Sequence, residues 1–324
     1  MSTRVDIFSG FLGSGKTTLI KKLIDERLSN EKVVIIENEF GEVGIDGSIL
    51  RKSNMEVKEI TAGCICCTIN QDFKQAVEEV IDKFKPDRII IEPSGVGKLS
   101  EILKTLRVSD LKNKITLNMI ITVVDVLKYK MYISNFDEFY RNQIVNSNTI
   151  ILSRTQDAES KQIEEVMADI SKINSKSVIT TTPWNKLSSQ KIIEIAKQSR
   201  KIPIEEQVNL IKKPQGISGL MRHKEAHHHD HHADESFSTW GIETPKIFNK
   251  QSLINKLQLI GDNKDYGTVL RAKGIVEVDE SQWIQFDYVP NEIKVVSTTP
   301  DYTGRLCIIG SNLNKENIKN LFSK

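Results

Sequence analysis

Through the first two hundred residues, short and nearly continuous apolar runs alternate with stretches whose apolar positions recur every three or four residues. The runs at 4–8, 32–37, 88–92, 117–124, 149–152 and 177–180 read as strands, because Val and Ile fill them with little alternation. The stretches at 17–28, 71–84, 99–106, 137–146, 160–173 and 188–198 read as helices. In the first of these, Leu19, Ile20, Leu23 and Ile24 share one face. Strands without a polar face need cover on both sides, so this part predicts an α/β fold with a mostly parallel sheet.

The period is lost after 200. Residues 201–240 carry proline, glycine and a histidine run, and read as a linker or long loop. A second pattern follows: a helix at 251–260, strands at 269–278, 283–288, 292–297 and 306–309, and a terminal helix at 315–322. The expected division is a P-loop domain over 1–200, a His-rich linker over 201–240, and a smaller α+β domain with an antiparallel sheet over 241–324.

Composition narrows the partners. The 324 residues carry 45 Lys+Arg against 43 Asp+Glu, a net +2, with no basic stripe interleaved with aromatics, so no nucleic-acid partner is expected. No apolar run approaches 18 residues and the first strand starts almost at Met1, so neither a membrane span nor a signal peptide is expected, and the reading is cytoplasmic. Three of the four cysteines, Cys64, Cys66 and Cys67, are nearly adjacent. All six histidines fall between His223 and His232. In a cytosolic chain, clustering of this kind points to metal or redox chemistry rather than to a disulfide framework.

The strand at 4–8 runs into Gly10-Phe11-Leu12-Gly13-Ser14-Gly15-Lys16-Thr17, which fits G-x-x-x-x-G-K-[ST], and a helix follows at once. Glycines let consecutive N–H groups turn inward on a phosphate, and the helix N-terminus adds its positive dipole end. Gly13, Ser14, Gly15, Lys16, Thr17 and Thr18 are therefore the candidate phosphate cradle. Lys16 would reach the β- and γ-phosphates, and Thr17 would hold Mg²⁺. A second element is Glu92-Pro93-Ser94-Gly95 at the end of a buried strand. There Glu92 would complete the Mg²⁺ site, usually through water, and the Gly95 N–H would sense the γ-phosphate. A third should read the base. Where Asn-Lys-x-Asp is the usual guanine reader, this chain has Ser153-Arg154-Thr155-Gln156. The Arg154 stem can lie along a base face, and the Gln156 amide offers both an acceptor and a donor, so it separates guanine from adenine less sharply than a carboxylate. GTP is the expected nucleotide.

Two further clusters suit a transition metal. Glu37-Asn38-Glu39-Phe40-Gly41-Glu42 follows the second strand, and Gly63-Cys64-Ile65-Cys66-Cys67 comes 21 residues later. Two or three thiolates, with Glu37 or Glu42 completing a tetrahedron, suit Zn²⁺ or Co²⁺ and argue against Mg²⁺ or Ca²⁺ at that site. The run from His223 to His232, with His227, His228, His229, His231 and His232 as auxiliary ligands, would capture metal loosely.

With these residues in view, the chain resembles the CobW family of P-loop GTPases, relatives of the HypB and UreG metallochaperones. The matching stretches are GFLGSGKTTL from Gly10, ENEFGEVGID from Glu37, GCICC from Gly63, EPSG from Glu92, VVD from Val123, LRAKG from Leu270 and RLCIIG from Arg305. The resemblance implies slow GTP hydrolysis coupled to delivery of Zn²⁺ or Co²⁺ to a client metalloprotein. It also implies an internal metal site built from GCICC and the Glu37–Glu42 loop. Related P-loop GTPases often pair, so a homodimer is in keeping with it. Two rivals use the same residues differently. A small-molecule kinase or other ATP-dependent enzyme would explain Gln156 but not the cysteines. A passive zinc buffer would use the histidine loop as its reservoir, with the nucleotide only stabilising the fold.

Overall fold

The computed structural model describes residues 2–38, 56–60, 69–107, 109–198, 237–279, 282–301 and 303–323. Its first sheet is built from β1 (Thr3–Gly10), β2 (Val33–Asn38), β3 (Glu56–Ile60), β4 (Arg88–Glu92), β5 (Ile115–Asp125), β6 (Thr149–Ser153) and β7 (Val178–Thr180). They pair in the order β3-β2-β4-β1-β5-β6-β7, all parallel. Helices α1 (Lys16–Leu23), α2 (Ile69–Phe84), α3 (Leu99–Leu106), α4 (Ser109–Lys112), α5 (Tyr129–Asn135), α6 (Asp137–Val145), α7 (Ser160–Ile173) and α8 (Ser189–Gln198) fill the connections.

Alternation along each strand sorts the core into layers. Phe8, Val33, Ile35, Ile90, Ile121 and Val123 face α1 and α8. Val5, Ile7, Val34, Ile36, Ile89 and Ile91 face α2 and α3. The α1-facing stripe is apolar only in its middle. At the N-terminal ends of the strands it carries Asp6 and Arg88, and at the C-terminal ends it carries Glu37 and Glu92, all buried. One end of the stripe is a structural ion pair and the other is the mouth of the P-loop, where open parallel sheets bind ligands.

The second sheet holds β8 (Ser238–Thr244), β9 (Thr268–Val278), β10 (Gln282–Val289), β11 (Glu292–Ser297) and β12 (Gly304–Ser311), in the antiparallel order β11-β10-β9-β12-β8. One face packs on α9 (Lys250–Asp262) and α10 (Lys315–Ser323) through Leu253, Leu257, Ile318 and Phe322. The other face lies against the first sheet's domain. There Ile275, Cys307 and Ile309 join Phe11, Tyr132 and Tyr140 in one cluster, with Phe237 packed into it, tilted on Phe136 and edge-on to Phe139.

Several elements differ from the sequence reading. Strand β3 and the helices α4 and α5 were not expected from the pattern. The first helix covers only Lys16–Leu23 as α-helix and then widens into a π turn over Ile24–Leu28. Strand β8 begins at Ser238, inside the span read as linker. Strand β2 continues one residue past Glu37, the last residue of the strand read at 32–37, so Glu37 stands inside the strand and not at the start of the loop.

Candidate functional site

The site forms where β1 and β4 end side by side. Gly10, Gly13 and Gly15 all take positive φ, and the Ser14 N–H donates to the Phe11 carbonyl at 3.3 Å, which closes the loop. Lys16 opens α1 and is 4 % exposed. Its Nζ donates to the carbonyls of Gly10 at 3.0 Å and Phe11 at 3.3 Å, so the ammonium is held along the inside of the loop. Burial pushes it down to about 8, against the pull of Glu92. The Ser14 hydroxyl is buried and has no hydrogen-bond partner among the described residues. A cradle with an unsatisfied buried hydroxyl and an inward ammonium fits a phosphate chain.

The Thr17 hydroxyl donates to Glu92 Oε1 at 2.9 Å, across from the start of α1 to the end of β4. Two hard oxygen donors meeting at the mouth of a P-loop fit Mg²⁺. Gly95 presses its backbone on the loop; a Cβ there would stand 2.7 Å from the Leu12 nitrogen, so no side chain fits. Gln143 of α6 is fully buried and its Nε2 donates to the carbonyls of Gly95 at 3.0 Å and Gly97 at 3.1 Å. It fastens the turn that would sense a γ-phosphate. Gln143 was missed in the sequence, where a lone amide on a helix carries no distinguishing signal.

The expected base readers separate. Gln156 is exposed and donates to Asp157 at 2.8 Å. Arg154 takes φ 60, and its guanidinium is held by partners within the protein. It pairs with Asp125 at 3.3 Å, reaches the Gly13 carbonyl at 3.4 Å, and forms a tight ion pair with Glu292 of the second sheet. The reason is electrostatic. Asp125 is 1 % exposed, and burial raises its carboxyl while the charges of Arg154 and Lys128 oppose that, so the nearest cation is drawn to it.

The second sheet closes over this mouth. Arg271 and Asp287, on neighbouring strands β9 and β10, form a two-pronged pair at 3.1 and 2.9 Å. A cavity of about 290 Å³ lies between them and the P-loop. Val289 stands against Gly13, whose added Cβ would come within 2.4 Å of Val289 Cγ1.

Of the expected transition-metal ligands, Glu37 is described. It is buried on β2 in register with Glu92 of β4, so the two carboxylates stand on adjacent strands and the same face. Glu42, Cys64, Cys66 and Cys67, with His223, His227, His228, His229, His231 and His232, lie outside the described residues. Among the described residues no three His, Cys, Asp or Glu side chains gather as a metal site. None of the described helices is long and apolar enough to cross a membrane.

Fold and site define a P-loop nucleotide-binding protein with an antiparallel-sheet domain seated on the phosphate mouth. Residues 4–181 match the model of the CobW/HypB/UreG nucleotide-binding domain, and 237–324 match the C-terminal domain of the cobalamin synthesis protein cobW. The chain belongs to the CobW/HypB/UreG family. It is 36 % identical over 153 residues to the zinc chaperone YeiR of Escherichia coli, a match spanning 47 % of each protein. It is 25 % identical to the zinc chaperone CobW of a Sinorhizobium species, across 84 % of this chain and 80 % of that one. It is 24 % identical to the zinc-regulated GTPase metalloprotein activator 1 of Schizosaccharomyces pombe, across 96 % of this chain and 83 % of that one.

Proposed function

We propose that this chain is a GTP-hydrolysing metallochaperone that carries Zn²⁺ or Co²⁺ to a client metalloprotein. The observation that carries the reading is the juxtaposition of Glu92 and Glu37. The carboxylate that touches Thr17 and the carboxylate that heads the metal-ligand stretch sit in register on neighbouring strands. The cargo site would be Glu37, Glu42, Cys64, Cys66 and Cys67, a thiolate and carboxylate set suited to either ion. The histidine run would serve as a loose reservoir. Zinc is favoured by the names of the relatives, and cobalt by the donor set alone.

Lys16 neutralises charge on the β- and γ-phosphates, and the loop N–H groups orient the chain for in-line attack. Mg²⁺ would be held by Thr17 and Glu92, where it would offset the charge of the phosphates. Water forms a bond to the γ-phosphorus and the bond to the β–γ bridging oxygen breaks. GDP keeps that oxygen, inorganic phosphate leaves, and the water's proton passes to solvent. Loss of the γ-phosphate frees the Gly95 turn, and the adjacent strand end at Glu37 responds. Metal affinity and nucleotide state are then coupled in both directions.

Phosphate release measured with GTP and with ATP, with and without Zn²⁺, tests the enzymatic half. Slow turnover, at least tenfold faster on GTP, is expected. Preferential use of ATP with transfer to a small-molecule acceptor would instead favour the kinase.

A further inference from the structure

The face of the second sheet turned toward the P-loop is charged where a buried face would normally be apolar. Along β9, β10 and β11 it presents Arg271, Lys273, Asp287 and Glu292, with the exposed Lys294 at its edge. Lys273 is 7 % exposed and the Arg271 side chain 12 %. The opposite face of the same strands carries Ala272, Val276, Ile284 and Phe286 against α9 and α10. Burying charge costs free energy unless something compensates for it. Within the sheet, burial works against the Asp287 charge, but Arg271, Lys273 and Lys294 outweigh it and hold that carboxyl below its usual value.

Across the cavity the balance is positive. Among the described residues its lining carries Lys16, Lys21, Arg154, Arg271 and Lys294 against Glu92, Asp287 and Glu292, five cations to three carboxylates. Two of the cations come from the second sheet. Arg271 acts on Lys16 electrostatically, as do Lys273 and Asp287. Asp287 grips Arg271 by Nε and Nη2 and so fixes the guanidinium plane at the cavity wall. A concave, partly enclosed, net-positive space above a phosphate loop suits a polyanion better than the P-loop domain alone would.

We propose that Arg271, positioned by Asp287, is a phosphate-facing cation, so that GTP is gripped between the two domains and the γ-phosphate is stabilised in cis by the C-terminal sheet. This rests on the GTPase reading. A guanidinium aimed at the transferring group stabilises the charge that spreads over it in the transition state. Among the described residues lining the cavity, the other arginine, Arg154, is committed to Asp125 and Glu292.

The test compares a non-hydrolysable GTP analogue, GDP and single-turnover GTP hydrolysis in the full-length chain. The variants are the paired change Arg271→Gln with Asp287→Asn, which removes both charges together, and Arg271→Lys, which keeps a cation against Asp287. The paired variant is expected to lose at least tenfold in analogue affinity and in hydrolysis, with GDP affinity changed less than threefold. Arg271→Lys, which should fold even if the pair does not, is expected to keep analogue binding within threefold and lose at least fivefold in hydrolysis. Wild-type hydrolysis in both variants, or an equal loss for GDP and analogue, would overturn the proposal. Lys16→Ala separates the two readings. If it abolishes nucleotide binding while the Arg271 variants behave as wild type, the GTPase reading stands and this inference fails. An intact chain that binds no nucleotide overturns both.

Discussion

Lys16→Ala is expected to lower GTP hydrolysis by at least roughly 10²–10³-fold, the usual loss when one preorganised electrostatic group is removed from a reacting oxyanion. The ammonium is already in place, held by the Gly10 and Phe11 carbonyls inside the loop, so catalysis needs no reorganisation to use it. Its charge also balances Glu92, which leans on Thr17. Removing it leaves Glu92 facing the triphosphate, so binding should suffer as well as turnover. Two hydrogen bonds to loop carbonyls are lost, which costs about 1–3 kcal/mol and leaves the fold intact. Phosphate release and nucleotide titration check the loss, and a thermal melt checks the fold. A variant that hydrolyses GTP within threefold of wild type would remove the P-loop from the mechanism.

The largest effect on stability is expected at the other end of the same strands. Arg88 is 1 % exposed and Asp6 fully buried, and they form a tight ion pair. Arg88 also donates from Nε to Glu31 at 2.7 Å, and Asn118 donates to Asp6 at 2.7 Å. Arg88→Met strands the Asp6 charge in the core and is expected to cost about 3–5 kcal/mol, or a midpoint about 10 °C lower. Burial already raises the Asp6 carboxyl above its usual value, with Arg88 and then Asn118 opposing it. Without Arg88 it rises further. A folded-state acid with a raised pKa binds more protons than the unfolded chain, so stability falls as pH rises above the unfolded value near 4. The deficit of the variant should therefore shrink as pH is lowered. Adding Asp6→Asn should recover most of it at neutral pH, because removing both charges is far less costly than removing one. Denaturation midpoints at neutral and acid pH measure both effects.

What the sequence disclosed follows from how local each signal is. The P-loop was legible because strand, glycines, Lys16 and helix are contiguous, and Glu92 because it ends an apolar run. The helices Leu99–Leu106 and Ser160–Ile173 fall where their periodicity placed them. Strand β3 was missed because Glu56, Lys58 and Glu59 give it a polar, loop-like pattern. Strand β8 reads as Ser, Thr and Gly around Trp240, and the rest of what defines it is its pairing with β12, 68 residues on at the Trp240–Ile308 step. Helix α5 carries two tyrosines, a methionine and an isoleucine without a clean apolar stripe. The partners of Arg154 were illegible for the same reason as the role of Arg271. The Glu292 contact of Arg154 and the placing of Arg271 at the P-loop depend on a second domain folding back over the first, and Asp125 and Gly13 stand on other elements, so no window of sequence contains these contacts. The reading of Gln156 as a base reader rested on alignment to a motif this chain does not keep, and its exposed side chain leaves guanine selectivity to be measured.

The central claim is that one conformational element answers to both ligands. It is tested by measuring Zn²⁺ affinity by chelator competition with GTP analogue, GDP and ATP analogue in turn, in the intact chain and in Cys66→Ser. The account predicts at least a tenfold difference between GTP analogue and GDP, about 1.4 kcal/mol of coupling, that disappears in the variant. Equal Zn²⁺ affinity with every nucleotide would contradict it, leaving a nucleotide site and a metal site on one chain with nothing passing between them.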